Sequence, residues 1–175
     1  MNLDELDGRI GEGWGGVSPN GVHLNVVLAR RGSPTAAAAV GMLAHPTPGH
    51  TPVLVCVGPD QQRYEPVFPP TLMMNKATAL EERHQTMTWG AAQLGIGQGV
   101  LDAVADGLVE ATQEVVVLVA VWVDAAANDE TALRKAARSA MRKAIGMCVE
   151  GRDPAAVQRL VDERDALQSP FYGGE

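Results

Sequence analysis

The sequence predicts an α+β fold, a single-domain two-layer sandwich with helices packed on one side of a sheet. Three observations lead there. Segment 21–29, GVHLNVVLA, has a period of two that puts Val22, Leu24, Val26 and Leu28 on one face of a strand and His23 and Asn25 on the other. Segment 115–123 is nine consecutive apolar residues, mostly valine, a run too uniform for an amphipathic helix and therefore a central strand. Beyond it, Leu133, Ala136, Ala137, Ala140, Met141, Ala144 and Ile145 recur at helical spacing and form the apolar stripe of a long helix.

In chain order, residues 1–20 are polar and glycine-rich, and 1–15 predict an irregular amino-terminal arm ahead of a domain over 16–150. The arm contains a literal G-x-G-x-x-G at Gly11, Gly13 and Gly16. No strand signal precedes it and SPNG, not a helix, follows, so the match is chance rather than a nucleotide-binding turn. Ser33 and Pro34 start a helix, the hydroxyl as cap and the ring in the first turn, which ends before Pro46. TPVLVCVG (51–58) reads as a buried strand, the proline-rich stretch to Pro70 as a surface loop, and PTLMMNKAT (70–78) as a second alternating strand. A short helix is expected over 79–89 and a longer one over 91–108, closed near Gly107. GIGQGV within it predicts close helix packing. Asn128 is the expected cap of the long helix, with Asp129 and Glu130 at its positive end and Arg142 and Lys143 late in it. Residues 151–175 read as a last helix, opened by Asp153 and Pro154, and the tail SPFYGGE.

Composition narrows the function. With 14 basic against 21 acidic residues the net charge is −7, and the basic residues concentrate on one helix, so nucleic acid is not the expected partner. The acidic start MNLDELDGRI does not read as a secretory signal, and the 115–123 run is too short to span a bilayer. Cys56 and Cys148 are isolated thiols suited to a reducing, cytoplasmic setting. His45, His50 and His84 show no metal-ligand spacing, so no metal is expected and solvent exposure is their default. Arg134, Lys135, Arg138, Arg142 and Lys143 read as a solvated face, or one that meets the last helix or another subunit.

The apolar segments carry few polar residues, and those few fall into a pattern. On the 70–78 strand the period of two puts Leu72, Met74, Lys76 and Thr78 on one face, so an amine and a hydroxyl stand together at its end. Gln93 follows on a helix. Convergence of His23, Asn25, Lys76, Thr78 and Gln93 would make a small-molecule pocket.

RRGSP (30–34), TLMMNKAT (71–78) and GAAQLGIGQGVLDAVADGLV (90–109), in this order and at these distances, resemble the formaldehyde-activating enzymes, which condense formaldehyde with tetrahydromethanopterin. The resemblance runs from about Gly16 to about Gly146. It implies a fold similar to the second domain of ribosomal protein S5, and a homopentamer with sites between subunits. It implies formaldehyde and a reduced pterin as co-substrates, His23 as proton donor, and Asn25, Leu54, Lys76, Thr78 and Gln93 as ligand contacts. The chemistry fits a histidine. Formaldehyde adds to an amine as a carbinolamine, whose hydroxyl must leave as water before the methylene bridge closes. An imidazole, with a reference pKa near ~6.5, can supply that proton at neutral pH.

The sequence departs from the family at Asn25, where the family has aspartate, and at Pro70, Met74, Ala91 and Leu94, where it has Asn, Phe, Pro and His. An amide offers one neutral acceptor and two donors in place of a carboxylate. Two further readings stay open: a non-catalytic or repurposed homologue binding a different small molecule, favoured by Asn25 and Leu94, and a purely structural oligomer subunit.

Overall fold

In the computed structural model, which describes residues 2–169, the glycine-rich start is not an irregular arm. A short helix α1 (Leu3–Leu6) leads into a strand, β1 (Ile10–Gly15). There follow β2 (Val22–Arg30), α2 (Pro34–Met42), β3 (Val53–Leu54), β4 (Cys56–Val57), β5 (Glu65–Pro66), β6 (Thr71–Asn75), α3 (Glu82–Thr86), α4 (Gln93–Ala105), β7 (Val115–Val123), α5 (Glu130–Glu150) and α6 (Pro154–Asp162). A π-helical turn, Met87–Ala92, joins α3 to α4. The main sheet has the order β1-β2-β7-β6-β3, so β7 is central as its valine run predicts. All its pairings are antiparallel except β6–β7, whose crossover is the α3–α4 helix, the connection a parallel pair requires.

The reading of 51–58 as one buried strand is corrected. Strands β3 and β4 are two residues each, and only Val55 between them is fully buried; β3 pairs with β6, while β4 pairs with β5 in a separate small ribbon. The expected cap of α5 shifts by one residue. The Asp129 carboxylate accepts from the Ala132 amide, while Asn128 bonds to Asn20, whose side-chain oxygen takes the amides of Asn128 and Asp129. Ser33 caps α2 and Asp153 caps α6 as predicted.

β1 escaped sequence reading because glycine disfavours strands, and here it serves packing. Gly11, Gly13 and Gly15 alternate toward α5, and a Cβ on Gly13 would lie 2.0 Å from the Ala140 carbonyl oxygen. Ala136, Ala140 and Ala144 form the matching small-residue row on the helix, so strand and helix backbones nearly touch. The same device joins α4 to α5: a Cβ on Gly95 would meet the Arg134 carbonyl oxygen at 2.2 Å, and one on Gly99 the Arg138 oxygen at 2.6 Å. GIGQG is therefore a helix-packing motif, as expected. The whole predicted stripe of α5 is buried, against β1, β2 and α4. Leu24, Leu28, Met73, Ile96, Leu133, Met141 and Ile145 are fully buried, each stabilising the fold by about 1.5–3 kcal/mol before entropy is counted.

The basic face of α5 is solvated at Lys135, Arg138 and Lys143, and its arginines are also paired with α4. Arg134 donates to Gln98 at 2.7 Å, Arg138 pairs with Asp102 at 2.6 Å and Arg142 with Asp106 at 2.8 Å, a ladder of matching four-residue steps on α4 and α5. Both cysteines are free thiols. Burial pushes Cys56 up and Cys148 up to about 12, so neither is a thiolate at neutral pH. No helix among the described residues is long and apolar enough to cross a membrane. Phe171, Tyr172 and the rest of the tail from residue 170 on lie outside the described residues.

Candidate active site

Strand pairing decides which side chains share a face. Gly13, Leu24 and Val121 form one row across β1, β2 and β7, and they face α5. The next row, Trp14, His23 and Trp122, therefore faces the opposite side, as does the row of Glu12, Asn25, Ala120 and Met74. One row further lie Ile10, Val27, Leu118, Leu72 and Leu54. This outer face is apolar apart from a polar group at one end, and parts of it are open: Ile10 is 69% exposed, Trp14 47% and Leu54 40%.

The polar group centres on His23. Lys76, one residue beyond β6 and held by its amide to the Val121 carbonyl at 2.6 Å, reaches back so that its Nζ lies 2.8 Å from His23 Nδ1 and 2.7 Å from Asn25 Oδ1. Glu12 Oε2 lies 3.3 Å from His23 Nε2. The Trp14 indole stacks on the imidazole with ring centroids 4.4 Å apart and planes 23° from parallel, and Trp122 is tilted against Trp14 at 6.0 Å. Both ring nitrogens are thus engaged. An ammonium can only donate, so with Lys76 charged Nδ1 is the acceptor and Nε2 carries the proton toward the carboxylate. Although Lys76 as a whole is exposed, protein crowds its amine; that desolvation lowers it below the usual lysine value, with the Glu12 carboxylate acting the other way.

Three of the six residues predicted from sequence, His23, Asn25 and Lys76, come together. The other three stand apart from this hydrogen-bonded group. Thr78 lies beyond the end of β6, where its hydroxyl meets His50 Nε2 at 2.9 Å, and His50 Nδ1 meets the Asn75 carbonyl at 3.1 Å. Leu54 shares the outer face, on the edge strand. Gln93 is buried in α4, its amide donating to the Cys56 carbonyl at 3.2 Å and to the Tyr64 hydroxyl at 2.5 Å.

The default of exposed histidines fails for His84, which is buried and bonded to the Val123 carbonyl, whereas His50 is partly exposed and ties loop 46–51 to β6. Among the described residues no group of three or more His, Cys, Asp or Glu could hold a metal ion. A groove of 740 Å³ between α3 and the start of α5, lined by Glu82, Arg83, Asn128 and Asp129, contains none of the predicted residues.

Sequence reading missed Glu12 and Trp14. The signal was present in GEGWG, where Glu12 and Trp14 alternate with glycines at the period of a strand.

The family model described as formaldehyde-activating enzyme matches residues 10–172. A 5,6,7,8-tetrahydromethanopterin hydro-lyase of Methanosarcina barkeri is 30% identical over 168 residues, covering 95% of this chain and 91% of that protein. A protein named bifunctional enzyme Fae/Hps from Methanothrix thermoacetophila is 26% identical over 166 residues, and one of the same name from Methanosphaera stadtmanae 26% over 167. The matched regions are 41% and 40% of those two longer proteins.

Proposed function

The chain belongs to the formaldehyde-activating enzyme family, and from that premise we propose that it condenses formaldehyde with a reduced pterin of the tetrahydromethanopterin type, losing water, with His23 as general acid. The observation that carries the reading is the engagement of both His23 nitrogens, by Lys76 and by Glu12, on a face open to solvent.

Formaldehyde adds to a pterin amine to give a carbinolamine, N–CH2–OH. Protonated His23 gives its proton to that hydroxyl, the C–O bond breaks and water leaves. The second pterin nitrogen then closes the methylene bridge and releases its own proton. General-acid assistance of this kind contributes about 10²–10⁴-fold. Trp14 offers a flat surface for a ring system, and Asn25 and Lys76 offer polar contacts at its edge. Thr78 and Leu54, both exposed, are proposed as outer ligand contacts, while the Gln93 contact implied by the resemblance would require its bonds to Cys56 and Tyr64 to open. No step requires a metal.

The apolar outer face supports assembly. We assign it to contact between copies of the chain in a homopentamer, which would cover Ile10 and Leu54 and close the His23 group into a site between subunits. The protein is assigned to the cytoplasm, where its thiols stay reduced.

His23→Ala removes a half-buried side chain from the face away from α5, so the variant folds. Its kcat/KM is expected to fall at least tenfold, and unchanged turnover would end the proposed role. One observation favours a second reading, a homologue turned to another ligand: the Asn25 oxygen is already occupied by Lys76. Asn25→Asp separates the two. Higher pterin affinity or rate indicates an enzyme that has drifted, whereas no response indicates a pocket serving a different molecule.

A further inference from the structure

In β1–β2 the residue directly opposite Asn25 is Glu12. Its carboxylate reaches diagonally to His23 Nε2 at 3.3 Å, while the amine on the other side of the ring is 2.8 Å from Nδ1. Asn25 supplies no charge here, and its oxygen is bonded to Lys76 at 2.7 Å. The charged side chains facing the ring are Glu12 from β1 and Lys76 from beyond β6. Trp14 on β1 and Trp122 on β7 face it without titratable groups.

We propose that Glu12 is the positioning residue of His23: its carboxylate accepts the Nε2 proton that Lys76, by donating to Nδ1, places there, and so holds the ring in a site where position 25 is an amide. The inference rests on the reading of His23 as general acid and adds how that acid is loaded. One proton is shared across the Nζ to Nδ1 contact. When it is on the amine, His23 is neutral with its proton on Nε2. When it moves, an Nζ–H bond breaks, an Nδ1–H bond forms, and His23 becomes an imidazolium beside the Glu12 carboxylate. The total charge of the three groups is the same in both arrangements, so loading the acid needs no proton from outside. The imidazolium then releases its Nε2 proton to the carbinolamine hydroxyl. Lys76, left neutral, recovers its proton from solvent or from the ring nitrogen of the pterin that closes the bridge. Trp14 stacking keeps the ring in the plane this transfer needs. Glu12, with its side chain 45% exposed, can swing aside for the substrate hydroxyl.

The test is nitrogen-15 NMR of the imidazole in the ligand-free protein, as a function of pH, for the wild type, Glu12→Gln and Glu12→Asp. Glutamine keeps the shape and removes the charge. The wild type is expected to hold the neutral ring with its proton on Nε2. In Glu12→Gln the Nε2–H resonance should move upfield, because a charged acceptor is replaced by an amide, and Glu12→Asp should restore part of the shift. kcat should fall with it while KM changes little. An unchanged Nε2–H resonance in Glu12→Gln would overturn the inference whatever the activity. If the resonance moves as expected but the wild type does not accelerate formaldehyde condensation, the hold of Glu12 on His23 stands and the proposed function fails.

Discussion

At the scale of the residue, period-two alternation made much of the candidate site legible. His23 and Asn25 stood out because polar groups on an otherwise apolar strand must share the opposite face, and Lys76 because it continued the 70–75 alternation. The limit of that reasoning is what lies beyond a strand end: Thr78 leaves the alternation and turns to His50, a contact local spacing does not encode. Gln93 is the converse case, a polar residue satisfied inside the fold by Cys56 and Tyr64. A second polar cluster shows how single residues set pH dependence. The Arg30 amide at 2.8 Å and then the Ser33 hydroxyl at 2.7 Å hold the Asp7 carboxyl below its usual range, with burial opposing and Thr35 and the Arg30 guanidinium adding smaller help. A folded value below the unfolded one means the contribution is fully present above the ordinary carboxylate value, near ~3.9, and is lost as pH falls through the folded value. Asp7→Asn should therefore lower Tm at pH 7 by more than it does at pH 3. An equal drop at both would show that the charge of Asp7 is not what matters.

At the scale of the element, the helices and the two long strands followed from periodicity and capping, whereas β1 did not. Propensity argues against a strand of three glycines in six residues, and tertiary packing overrides it, because only glycine lets the β1 backbone lie against Ala136, Ala140 and Ala144. This predicts a contrast between two exchanges. Gly13→Ala forces a Cβ against a backbone carbonyl and should cost about 1–3 kcal/mol or more, while Gly41→Ala on exposed α2, with nothing within 4 Å, should gain about 0.4–1 kcal/mol. Urea midpoints for the two variants decide it, and a neutral Gly13→Ala would contradict the packing account. The break of 51–58 into β3 and β4 was hidden for a different reason. An apolar run reads as buried, yet Leu54 is exposed on the edge strand while Val55 beside it is fully buried.

At the scale of the whole molecule, the α+β sandwich was readable because one face of each element is apolar and the order of elements leaves few ways to bury them. What covers the other face of the sheet is not written in one chain's periodicity. The half-open row from Ile10 to Leu54 and the exposed Val157, Val161 and Leu167 at and beyond α6 are apolar surface of that kind. Assembly as proposed predicts, by light scattering, a mass five times that of the 18.4 kDa chain, and a stable monomer would remove the subunit interface from the account. The central claim joins all three scales: an open sheet face, a strand pair that aligns Glu12, His23 and Asn25, and one imidazole that delivers a proton. It is tested most directly by the rate at which formaldehyde and tetrahydromethanopterin form the methylene adduct, measured across pH against the spontaneous reaction and against His23→Ala. The account predicts an acceleration that fades as pH rises and is largely lost without His23; no acceleration, or one that survives the loss of His23, would contradict it.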